Sequence, residues 1–201
     1  MRTLLKIEEK RLKILTKNSV SFSLIEPTGT GLKKSIMDAT GPIRNYLKEN
    51  NFHDYEIQQQ GQENRVIIEG LLYDQFKISK SKVSLYRPES KKGDPRIWIY
   101  GLTKYAKPND IVTIICFEKQ IHYFNLTQLP VENLINSAVT NPLRELIEEI
   151  NGKENAIANE LLLKLRKIAK DGAVPSMVNA DTGVGRTLET ALGIDINSSK
   201  Q

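Results

Sequence analysis

KVSLYRPESKKGDPRIWIYGLTKY, residues 82–105, is the stretch on which the reading of the fold turns. It opens on an alternating run, Val83-Ser84-Leu85-Tyr86, passes through a charged segment from Arg87 to Pro95, and re-enters apolar sequence at Arg96-Ile97-Trp98-Ile99-Tyr100. Alternation, turn residues and renewed apolar character predict strand, loop and strand. Gly93-Asp94-Pro95 is a turn signal that shapes the loop. From 77 to 107 nine Lys or Arg face only Glu89 and Asp94, a local charge of +7 where the whole chain carries +5. Cations beside Tyr86, Trp98, Tyr100 and Tyr105 suit a polyanion. A Lys-rich hairpin is also what a solvated sheet edge uses to resist aggregation. Arg87 and Arg96, flanking the turn, can fork onto guanine edges or phosphates as Lys cannot. The contact candidates here are Tyr86, Arg87, Lys91, Lys92, Asp94, Arg96 and Trp98.

Outward from this stretch, short strands dominate. Residues 19–25 alternate as a strand, 54–60 and 65–73 read as a hairpin, and 111–117 and 120–126 form a second hairpin. Helices are expected at 4–16 and, behind Thr40-Gly41-Pro42, at 43–50. The fold class is therefore α+β: a small mixed β-sheet or barrel-like amino-terminal domain over 1–127 with one or two helices. A helical connector over 128–172 follows, with runs at 131–138, at 142–150 stopped by Asn151-Gly152, and at 154–169 stopped by Asp171-Gly172. Residues 173–201 begin something further.

The remaining signals mostly exclude. No stretch approaches the ~20 apolar residues of a membrane span, and the amino terminus lacks a signal-peptide core. Cys116, alone in an apolar strand, reads as a packed thiol, and a single Cys suits a reducing cytoplasm. His53 and His122 have no partners at zinc-ligand spacing. Glu26-Pro27-Thr28-Gly29-Thr30-Gly31-Leu32-Lys33-Lys34-Ser35 looks like a phosphate loop, but Pro27 and Lys33 stand where a Walker A motif needs Gly. The turn either clamps a single phosphate or only reverses the chain. Lys33, Lys34 and Ser35, with Arg44 downstream, join the phosphate-contact candidates.

The tail carries the sharpest motif. Asp181-Thr182-Gly183-Val184-Gly185-Arg186-Thr187-Leu188-Glu189, followed by Ala191-Leu192-Gly193-Ile194, resembles the opening of the catalytic domain of MvaI/BcnI-type restriction endonucleases. A loop-to-helix connection capped by Thr182 would use the same residues. The resemblance implies that Glu189 is an accessory to a metal site completed by a P-D and E-x-K set further on. The chain is expected to be cut off just after the start of that nuclease domain, so that it lacks a complete metal site and cofactor of its own. Magnesium is implied for the full-length enzyme, because two-metal hydrolysis needs paired carboxylates and a Lys. The implied function is sequence-specific recognition of double-stranded DNA by residues 1–127, with no membrane partner and with room for a homodimer. The alternative is a regulatory module that senses a ligand or a modified base and gates the nuclease.

Overall fold

The computed structural model describes residues 1–171, 175–176 and 182–193. The chain divides into two compact units, Met1–Asn151 and Gly152–Gln201.

The first unit is built on seven strands: β1 (Ser23–Ile25), β2 (Met37–Asp38), β3 (Val66–Tyr73), β4 (Ile78–Tyr86), β5 (Arg96–Ile99), β6 (Val112–Phe117) and β7 (Gln120–Asn125). They lie in the order β1-β6-β7-β3-β4-β5-β2 in one sheet curled into a half-barrel. All neighbours are antiparallel except β3 and β7, which are parallel. The α+β reading and the barrel-like sheet are thus borne out. The strand–loop–strand reading of 82–105 is also met, since Leu85 pairs with Ile97 and Tyr86 with Arg96.

Two apolar layers sandwich the sheet. On one side Ile25, Met37, Val83, Leu85, Ile97, Ile99 and Ile114 pack with α2 (Gly29–Lys34) and α3 (Gly41–Glu49) through Leu32, Ile43 and Leu47. On the other, Tyr73, Ile111, Ile115 and Phe124 pack with α1 (Lys6–Lys17), α4 (Val131–Ile135) and the start of α5 (Pro142–Asp171) through Leu15, Val131, Leu143 and Ile147. Burial of each such side chain contributes about 1.5–3 kcal/mol.

Three local expectations are corrected. Residues 54–60 are not a strand: β3 pairs with β4 across the Asp74–Lys77 turn instead. In Asp54-Tyr55-Glu56-Ile57-Gln58 the inward residues are Tyr55 and Gln58, three apart rather than two. Tyr55 donates its hydroxyl to Arg96 O, and Gln58 its amide to Leu85 O. The alternation of 19–25 also shrinks to three residues, because Ser19 takes a left-handed φ of 59° and Val20 N–H donates to Leu15 O to close α1.

Thirdly, Asn151-Gly152 does not stop a helix, and α5 runs through it. A terminating glycine works by taking positive φ, which Gly152 does not adopt, and a glycine inside a helix costs only about 1 kcal/mol. In the second unit, α5 exposes Ile157, Leu161, Leu163 and Leu165. There α6 (Gly183–Leu192) ends at Gly193, in the left-handed region at φ 73°. The expected stop at Gly172, and Asp181 and Ile194 of the tail motif, lie outside the described residues.

Candidate nucleic-acid interface

The half-barrel does not close. Its edge strands, β1 and β2, border a cleft of about 890 Å³ floored by α2, with Tyr86, Pro88, Ser90 and Arg96 as the far wall. Beside it lies a second hollow of about 500 Å³, lined by Arg44, Lys48, Asp54, Glu56, Arg87, Lys92 and Asp94. The loop from Arg87 to Pro95 is the wall between them. Most of the sequence-derived candidates are brought to these concavities.

Their roles differ. Lys33, Lys34 and Ser35 sit exposed at the end of α2, where Ser35 takes a left-handed φ of 54°. The turn before them is closed on itself, since Gly31 N–H donates to Thr28 Oγ1 and Leu32 N–H to Thr28 O. Arg44 and Lys92 are exposed and form no ion pair among the described residues. The side chain of Lys91 lies outside the described residues. Asp94 is exposed in the second hollow. Trp98 is buried in the first apolar layer, 8% exposed, and lines neither concavity.

Arg87 is held from within. Its Nε donates to Gly93 O, and Nη1 to Gln58 O and to Tyr55 O. Those bonds shape the loop together with two left-handed residues, Lys92 at φ 55° and Gly93 at φ 73°. The positive φ at Gly93 favours glycine, whereas the Gln60 side chain that a Cβ there would meet is exposed and free to swing aside.

Arg96 is the contrasting case. Register aligns Asp38, Arg96 and Tyr86 as direct neighbours across β2, β5 and β4, so their side chains share one face of the sheet. The Arg96 guanidinium pairs through Nη1 with Asp38 Oδ1, its sole polar partner among the described residues. Nε, Nη2 and Asp38 Oδ2 therefore keep unused valences beside the cleft. Sequence reasoning missed Asp38 because a two-residue strand gives no periodic signal.

The +7 window is divided by the fold. Lys80 and Lys82 stand on exposed positions of β4, with Lys82 opposite Glu69, and Lys104 and Lys107 belong to the β5–β6 connection. The concavities mix signs: Asp54, Glu56 and Asp94 offset the cations of the second hollow, and Lys48 is paired to both Asp54 and Glu56.

The other reactive side chains are packing groups. Burial pushes the Cys116 thiol up to about 12, against the nearby Tyr46 hydroxyl. His122 sits between the Tyr73 hydroxyl at Nδ1 and Phe117 O at Nε2, and burial lowers its pKa. No group of three or more His, Cys, Asp or Glu among the described residues could hold a metal ion, and Glu189 is exposed on α6. The described residues thus do not fit the implied magnesium. No helix of the described residues is long and apolar enough to cross a membrane.

Together these features define an α+β half-barrel carrying a seam of mixed charge, followed along the chain by a helical segment. Against known proteins, the model of the MvaI/BcnI restriction endonuclease family matches residues 162–201, a span that includes the tail motif around Glu189. Neither a curated protein nor a solved structure matches the chain.

Proposed function

We propose that the unit Met1–Asn151 is the DNA-recognition part of a protein related to type II restriction endonucleases, and that the complete protein cuts double-stranded DNA with magnesium. The observation that carries this reading is the family match at 162–201, which lies later in the same chain, beyond the end of the unit at Asn151. The exposed cations at and beside the two concavities support it. Lys33, Lys34, Arg44 and Lys92, all exposed, hold phosphates on this reading, and phosphate contacts position a protein on the duplex without reading it. Arg96 and Asp94 supply the polar groups for base edges, and Tyr86 a ring face beside them. Arg87, whose donors serve backbone carbonyls, shapes the loop that presents the others.

The test is binding of the chain to duplex DNA over a range of salt. A phosphate-dominated interface loses affinity with a log–log slope of about −0.9 per phosphate neutralised, so four contacts give roughly −3 to −4. Lys34→Ala should reduce that slope by about one while weakening all sequences alike, and Arg96→Ala should relax sequence choice. A salt-independent response overturns the reading.

A further inference from the structure

The seam between β1 and β2 has features that a groove-reading surface does not need. It is a cleft of about 890 Å³, within the size range of pockets that enclose small ligands, rather than a flat rim. Phe22, Leu24, Ile36, Met37 and Pro42 supply apolar lining, and Tyr86, only 9% exposed, supplies an aromatic ring. Next to that ring the Asp38–Arg96 pair, fixed by strand register, sets an unused carboxylate oxygen beside unused guanidinium donors. Exposed Lys34 also lines the cleft.

We propose that this seam receives one nucleobase extruded from the DNA duplex. The base-pairing edge of every nucleobase carries a hydrogen-bond donor next to an acceptor, and extrusion leaves that edge free. Asp38 Oδ2 accepts from the ring N–H or exocyclic amine, and Arg96 donates from Nη2 or Nε to the adjacent ring nitrogen or carbonyl. Tyr86 packs on the base, as aromatic side chains do for unstacked bases. Lys34 meets the phosphate beside the extruded nucleotide. The arrangement follows from the open half-barrel: a closed sheet would have paired β1 with β2 and filled the space.

The inference rests on the DNA-binding reading, and the experiment separates the two. The chain is titrated by fluorescence anisotropy with a fully paired duplex, with the same duplex carrying one base opposite an abasic site, and with free deoxynucleoside monophosphates. Extrusion costs least for a base with no partner, so the second duplex should bind about tenfold tighter or more. Asp38→Ala should abolish that preference, so that the duplex with the unpaired base binds no tighter than the paired one. Tyr86→Phe should keep the preference and Tyr86→Ala lose it, each checked for an intact melting transition. Equal binding of both duplexes by the wild type overturns the inference and leaves the DNA reading standing. Persistence of the preference in both Asp38→Ala and Tyr86→Ala also overturns it, because the base is then held elsewhere. Saturable binding of a free mononucleotide without a duplex preference reassigns the seam to a small ligand. If neither duplex binds, both proposals fall.

Discussion

Two of the arginine–carboxylate assemblies in this unit are built to opposite specifications. Where α1 meets the end of the sheet, Arg2 donates to Asn109 O and Thr3 O and forks onto both oxygens of Glu8. Glu8, whose side chain is fully buried, also accepts from Leu5 N–H and Thr127 Oγ1. Arg11 completes the cluster with bonds to Glu132, Leu126 O and Thr127 O. Nearly every donor and acceptor there has a partner within the fold. At the seam, by contrast, Arg96 and Asp38 share one contact and keep the rest unused. A charge cluster satisfied from within holds the chain together, whereas one left with spare valences at a cleft is arranged for something that arrives from solution.

The saturated cluster should produce the largest effect. Removing one partner of a buried ion pair costs about 3–5 kcal/mol, since the other charge is stranded. Glu8→Ala strands Arg2, itself partly exposed, so the lower figure of about 3 kcal/mol applies. In a domain of this size each kcal/mol is worth roughly 2–4 °C, and calorimetry should show the melting point falling by about 6–12 °C. Binding of DNA by the molecules that remain folded should be unchanged. A shift under about 2 °C would show the cluster to be as replaceable as a surface pair.

Acid should reach the same cluster. Burial alone would raise the Glu8 carboxyl, but the Arg2 fork, the Thr127 hydroxyl and the Leu5 amide outweigh it and bring it from 4.5 down to about 2. A carboxylate depressed on folding stabilises fully above its unfolded value, so stability should fall as pH drops from about 4.5 towards 2. His53 and His122, held neutral chiefly by burial and so shifted below 6.5, add an earlier decline as pH falls past that value. Chemical denaturation across pH checks both stages. In Glu8→Gln the second stage should flatten and the first remain.

The loop wall lies between the two extremes. Arg87→Ala removes three donated bonds from an intramolecular charged group. Bonds to charged groups are worth about 1.5–3 kcal/mol each before solvent replaces them. Water reaches this half-buried site and makes good most of that, so a net loss of about 2 kcal/mol is expected. Affinity for DNA should fall too, through disorder of the loop that carries Lys92 and Asp94 rather than through a lost contact. Proteolysis within 87–95 should therefore accelerate in step with the loss of affinity.

What could be read from the sequence follows how local each signal is. The strands at Val83–Tyr86, Arg96–Ile99 and 112–117 are legible because they run between two apolar layers and bury consecutive residues. The pairing of β3 with β4 was not, because Tyr55 and Gln58 mimic strand residues while serving the sheet from its end. The candidates at Lys33, Lys34, Arg44 and 86–96 were visible as charge, and the fold brings most of them to adjoining concavities. Arg87 and Arg96 look alike in sequence, flanking one turn. Only the backbone carbonyls around the first, and the two-residue strand opposite the second, tell them apart. Nothing in Met37-Asp38-Ala39 announces a partner some sixty residues away, since register across a curled sheet is a property of the whole chain.

The smallest stability effect is expected where the proposed function is concentrated. Asp38 is 73% exposed and its single ion pair faces solvent at the cleft. Exposed pairs are worth about 0–1 kcal/mol; Asp38 is the exposed partner, and Arg96, 14% exposed, loses it beside an open cleft where water can take its place, so the upper end of that range applies. Asp38→Ala should therefore melt within roughly 2–4 °C of the wild type, against the much larger fall for Glu8→Ala. A loss at Asp38 as large as that at Glu8 would mean that the seam pair clamps β2 to β5 and is structural after all. A negligible loss leaves the pair with no structural reason for its place, which is the condition under which its open valences belong to a ligand.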